Sequence, residues 1–151
     1  MTGVEQGEVL FVGSYTHALD AKRRLTLPSV WRSLLGADRR LFAFPCPEEK
    51  CVYLYTAGEM MRRVRMLREG RVDADERRAV RSFAAGGEML LLDAQGRIRL
   101  NDALLAHAEV KDRVVLVGAL TRIELWSAEN FDLALPPTDS SAAEDIFYGG
   151  F

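Results

Sequence analysis

Leu19-Asp20-Ala21-Lys22-Arg23-Arg24-Leu25-Thr26-Leu27 and Leu92-Asp93-Ala94-Gln95-Gly96-Arg97-Ile98-Arg99-Leu100 are two versions of one stretch. Both read Leu-Asp-Ala-x-x-Arg and continue as alternating apolar and polar residues. The second stands 73 positions after the first, Asp93 against Asp20. The likeness spreads outward at that offset. Val30-Trp31 faces Ala103-Leu104, and Leu41-Phe42-Ala43-Phe44 faces Val114-Val115-Leu116-Val117. With a two-residue difference in the loop that follows, Val52-Tyr53-Leu54-Tyr55-Thr56-Ala57 faces Ile123-Glu124-Leu125-Trp126-Ser127-Ala128. A fixed internal period sets the architecture before any single residue does. Each copy reads strand, turn, strand, short helix, strand, loop, strand, start of a helix.

In the first copy, residues 9–12 and 14–19 predict strands separated by Gly13, with Tyr15, His17 and Leu19 on one buried face. Pro28 ends the strand after the turn, Ser29 is the expected N-cap of a helix over 30–35, and Gly36 closes it. Residues 41–44 and 52–55 predict a hairpin. A helix over 59–69 carries Met60, Met61, Val64 and Leu67 at helical spacing, with Gly70 as its stop. Asp73 caps a second helix over 74–85. The second copy predicts strands at 89–92, 98–100, 113–117 and 122–126. Asn101 or Asp102 caps its short helix, and Ser127 starts a last helix that Pro136-Pro137 ends. The resulting organisation is a first repeat at 9–60, a helical linker at 61–85, a second repeat at 86–132 and a flexible tail at 133–151. The fold class is mainly β with short helices, two pseudo-symmetric repeats joined by two helices.

The chain has 151 residues, 48% of them hydrophobic, which suffices for a packed core. No apolar run approaches the roughly 20 residues of a membrane helix. The polar start lacks the basic and apolar segments of a signal peptide, so a cytoplasmic protein without a membrane partner is expected. Cys46 and Cys51 are the only cysteines, and His17 and His107 are remote from them in sequence. That is too few ligands for a structural zinc site, so two reduced cysteines, no metal and no cofactor are expected.

Net charge is −2 at pH 7, which weighs against nucleic-acid binding, but the distribution matters more than the sum. Lys22, Arg23, Arg24, Arg32, Arg39 and Arg40 crowd the first copy, while bases and acids balance in the matching part of the second. At each turn the Asp carboxylate can accept backbone N–H groups, as Asx turns do, and can hold the Arg four positions on. Gly96 suits positive φ, and Arg23 in the same place predicts strain there. Lys22, Arg23 and Arg24 exceed what Asp20 alone requires, and surplus cations at a protruding turn suit phosphate. A solvated basic turn is the plainer alternative.

The run Phe11-x-Gly13-x-Tyr15-x-His17-x-Leu19-Asp20-x-Lys22-x-Arg24-Leu25-x-Leu27-Pro28, with Leu92-Asp93-x-Gln95-Gly96-Arg97-Ile98, resembles the MraZ family of bacterial transcription regulators. The likeness covers about residues 9–132. It implies two AbrB-like swapped-hairpin repeats interlaced into one β-barrel, and a homo-oligomeric ring. It implies binding to direct repeats of double-stranded DNA in the promoter of the division and cell-wall gene cluster, hence a nucleoid-associated protein. It implies Lys22 and Arg24 as DNA-facing residues, with Arg23, where the family usually has Gly, as an added contact. Asp20 would orient Arg24, and Asp93 with Arg97 would be the matched pair with a structural or secondary role.

Rival readings are weaker. Asp20 and Asp93 meeting across the pseudo-twofold would make a carboxylate pair, but each has its own Arg, which holds it ionised. No nucleophile motif or metal spacing accompanies them, so no enzyme activity and no small-molecule substrate are expected. An assembly module that has lost DNA contact is the main alternative. An antitoxin-like regulator is disfavoured by having both repeats in one chain.

Overall fold

The structure, a computed structural model, describes residues 9–69 and 73–135. Gly70 as a helix stop, Pro136-Pro137 and most of the expected tail lie outside the described residues. The elements in order are β1 (Ser14–Ala18), β2 (Arg24–Thr26), α1 (Ser29–Leu35), β3 (Arg40–Pro45), β4 (Val52–Thr56), α2 (Ala57–Glu69) and α3 (Ala74–Ala85). The second half supplies β5 (Glu88–Leu91), β6 (Arg97–Arg99), α4 (Asp102–His107), β7 (Arg113–Gly118), β8 (Ile123–Trp126) and α5 (Ala128–Ala134).

The strands exchange between copies. β1 pairs with β7 of the second copy, and β5 pairs with β3 of the first, both antiparallel. His17 stands opposite Val114 and Leu41 opposite Leu90, which are images of each other under the repeat. β2 and β6 pair as Arg24↔Arg99, Leu25↔Ile98 and Thr26↔Arg97, so a pseudo-twofold axis passes between Leu25 and Ile98. It leaves through the β4–β8 pair, centred on Tyr53↔Glu124. Between these ends sits the core, in which Leu25, Leu41, Leu54, Leu116, Ile123 and Leu125 are fully buried and Trp31 and Ile98 almost so. Each such side chain contributes about 1.5–3 kcal/mol.

The barrel implied by the family likeness is not closed. Six strands form one sheet in the order β1-β7-β8-β4-β3-β5, with β1 and β5 as edges, and β2-β6 is a separate ribbon. The chain turns sharply after each edge strand, and the two short strands that follow pair with one another instead of continuing the ladder. Being an edge, β1 is mostly exposed rather than buried on one face; Tyr15 reaches back only to meet Trp31 edge-to-face at 5.1 Å. Residues 9–12 also do not make a strand. Phe11 forms a single bridge to Leu120, because positive φ at Gly13 and Leu120 turns both chains away from a longer ladder.

Helix starts follow local chemistry. Asp73, Asn101 and Ser127 accept from the N–H groups of Glu76, Leu104 and Asn130, as their side-chain oxygens favour at N-caps. Thr56 Oγ1 does the same for Glu59 at 3.1 Å. Ser29 is not a cap. It is the first residue of α1, and Pro28 is the capping position, with its φ preset and its carbonyl accepting from Trp31 and Arg32. The stripe on α2 packs only in part: Met60 and Val64 are half-buried, while Met61 and Leu67 are exposed, as are Met66 beside them and Val80 on α3; Phe83 of α3 stacks on Phe44 at 4.1 Å and is half exposed.

Candidate nucleic-acid interface

Both repeated turns are built from the same bonds. Asp20 Oδ1 accepts from Lys22 N at 2.9 Å and Arg24 N at 2.8 Å, and Oδ2 accepts from Arg24 Nε at 2.7 Å. Asp93 Oδ1 accepts from Gln95 N and Arg97 N, both at 2.9 Å, and Oδ2 from Arg97 Nε at 2.8 Å. Backbone bonds Arg23 N to Asp20 O and Gly96 N to Asp93 O, 2.9 and 3.0 Å, close the turns. An Asp side chain with this reach replaces the backbone acceptors that so tight a turn lacks. The Arg24 N–H, then its guanidinium, hold the Asp20 carboxylate below the usual carboxylate range, and the Arg97 N–H and guanidinium do the same to Asp93. Both stay ionised at neutral pH, so neither serves as a proton donor.

The turns differ in what their cations have left over. Arg97 spends a terminal amine on Gln95 Oε1 at 3.2 Å. In the first turn the matching residue is Lys22, which donates and cannot accept. Among the described residues Arg24 bonds only Asp20, and through Nε, so its terminal amines are uncommitted. Arg23 has φ +61, the region Gly96 occupies at φ +79. Its Nε lies 3.7 Å from Asp102 Oδ1 with both side chains well exposed, which holds it weakly. Lys22, Arg23 and Arg24 thus stand together on one turn, with Asp20 beneath them.

Strand exchange adds cations that sequence reading did not place. Arg99 Nε donates to Lys22 O at 3.1 Å, so a second-copy strand braces the first turn. Arg39 Nη2 donates to Asp93 O at 2.7 Å and Arg39 Nε to Leu92 O at 3.2 Å. Arg32 lies over Gly96, where a Cβ would come within 2.3 Å of its side chain, and its Nη1 donates to Gln95 O at 3.4 Å. The basic residues of the first copy are therefore split, with Arg32 and Arg39 at the second turn. The signal was present in their alignment with Leu105 and Asp112, but its meaning depends on knowing that the hairpins swap.

The two turns flank a ribbon only three residues long. The pseudo-twofold passes through the middle of that ribbon, so both turns rise at the same end of the molecule. The arrangement is a paired set of cationic loops, each braced by hydrogen bonds from the other copy.

A family model described as "MraZ protein, putative antitoxin-like" matches residues 83–143. A protein of Alkaliphilus metalliredigens named Transcriptional regulator MraZ is 35% identical over 123 residues, covering 81% of this chain and 84% of the relative. The protein of that name from Moorella thermoacetica is 36% identical over 126 residues, covering 82% and 85%. The one from Micrococcus luteus is 31% identical over 146 residues, covering 94% of this chain and the whole of the relative.

Proposed function

The chain belongs to the MraZ family, and from that premise we propose that it binds repeated double-stranded DNA sites in the promoter of the division and cell-wall gene cluster. It is a transcriptional regulator, and in this reading it acts in the cytoplasm, on the nucleoid. Among the described residues no helix is long and apolar enough to cross a membrane. The observation that carries the reading is the first turn: Asp20 fixes Arg24 by Nε and leaves its terminal amines uncommitted on the turn that also carries Lys22 and Arg23. A guanidinium so oriented can pair with guanine O6 and N7 in the major groove, while Lys22 and Arg23 neutralise phosphates. Asp93 and Arg97 shape the second turn as a lesser contact, since Gln95 already takes one Arg97 amine. No catalytic role is assigned.

The net charge of −2 leaves a single subunit weak in affinity. Avidity from a homo-oligomeric ring reading successive repeats supplies the rest. Support for association is the exposed apolar side chains of α2 and α3 and the unpaired edges of β1 and β5. Residues 9–60 and 86–132 are then the two halves of one DNA-reading unit, joined by 61–85.

The test is binding of the full chain to its own upstream promoter DNA across a salt series, beside Arg24→Ala. Steep weakening with salt, and loss of most affinity in the variant, is the expected result. Rings that bind no promoter fragment above background would instead favour an assembly module without DNA contact.

A further inference from the structure

The hairpin loop between β3 and β4 brings Cys46, Glu49 and Cys51 together at the far side of the sheet from the turns. The two Sγ atoms and a Glu49 carboxylate oxygen all lie within 4.8 Å of one another. Cys46 N donates to Cys51 O at 3.0 Å, so the hairpin pairing itself fixes the two thiols side by side. Both are free and buried, packed with Val115 and Trp126. A pair of small apolar side chains would fill that space equally well. What a packing role leaves unexplained is an exposed carboxylate turned in on two thiols.

His107, from the last turn of α4, has its Nε2 3.1 Å from the main-chain oxygen of Glu49, although the two are 58 positions apart. That bond engages Nε2 and braces the loop from the second copy, so His107 supports the site without being one of its donors. Tyr53 Oη lies 3.1 Å from Cys46 Sγ, where its O–H can donate to a thiolate and orient it.

We propose that Cys46, Glu49 and Cys51 form a binding site for a soft divalent metal ion of the zinc type. Two thiolates and one carboxylate are protein donors of the kind zinc takes, with the fourth position left to solvent. Binding displaces the two thiol protons to solvent and sets the ion's two positive charges against two thiolates and the Glu49 carboxylate, with no change of oxidation state. Burial first, and then the Glu124 carboxylate, push the Cys51 thiol well above its ordinary value, so in the metal-free protein it is a neutral packing group. The site closes the first copy's hairpin loop, away from the cationic turns, and is independent of the DNA reading.

The full chain, stripped with a chelator and kept reduced with a phosphine, is titrated with cobalt(II) and then with zinc. The expected result is a thiolate-to-cobalt charge-transfer band that saturates at one ion per chain and is bleached by one equivalent of zinc. Glu49→Gln is at the surface and leaves the far-ultraviolet circular dichroism unchanged. It should weaken cobalt binding about tenfold or more. Cys46→Ser should remove the band's intensity. Absence of the band at large cobalt excess overturns the proposal. So does a band whose affinity is unchanged by Glu49→Gln.

Discussion

Arg23→Gly separates what the first turn costs in stability from what it gives in binding. Arg23 sits at φ +61, where its counterpart Gly96 sits at φ +79. A side chain in this left-handed region costs about 1–2 kcal/mol. Replacing it with glycine recovers that amount but loosens the unfolded chain by about 0.4–1 kcal/mol. The contact it gives up, 3.7 Å from Asp102 with side chains 42% and 84% exposed, adds nearly nothing. The net change lies between about zero and a gain of about 1.6 kcal/mol, a rise in melting temperature of up to roughly 3–6 °C for a chain of this length. Promoter binding moves the other way. One lost phosphate contact per subunit flattens the slope of log affinity against log salt by about 0.9. Over a rise from about 50 to about 200 mM salt that is a difference of roughly threefold for each engaged subunit. Calorimetry and fluorescence anisotropy on the same preparation read both quantities. A variant that melts lower than the parent refutes the strain argument. An unchanged salt slope removes Arg23 from the interface.

Two further outcomes follow from the geometry. Gly118→Ala places a Cβ 2.5 Å from the backbone of Phe11 and Val12, atoms that cannot swing aside, and should cost about 1–3 kcal/mol of stability by urea titration; an unaltered midpoint would show that the segment before β1 moves freely. For Asp20 and Asp93, whose carboxyls are held below their ordinary value, the turn stabilisation is complete above the unfolded value of 3.8 and is lost as pH falls through the lower folded one. The amide resonances of Lys22, Arg24, Gln95 and Arg97 should therefore stay constant on acidification to about that unfolded value and shift only beneath it; movement between neutral pH and there would contradict the assigned hydrogen bonds.

Much of the fold is legible in the sequence because its signals are local. The Asp turns bond their own N–H groups within four residues, and Asp73, Asn101 and Ser127 cap the helices they precede. The failures are also local in cause. Ser29 was the obvious cap by residue type, but Pro28 before it had already fixed the backbone and supplied the acceptor carbonyl. The alternation in β1 suggested a buried face, yet an edge strand here has one neighbour and little above it.

By itself the sequence determined the duplication, the order of elements, the turn chemistry and a cluster of cations at residues 22–24. Each is written in the spacing of neighbours along the chain. Only the tertiary structure decided which copy's strand pairs with which hairpin, and so which cations share a turn. Strand pairing is a long-range choice of register, and one exchange carries Arg32 and Arg39 to Asp93, Arg99 to Lys22 and His107 to Glu49. It also left β1 and β5 as edges of the sheet and, among the described residues, Met61, Met66 and Leu67 of α2 and Val80 of α3 exposed.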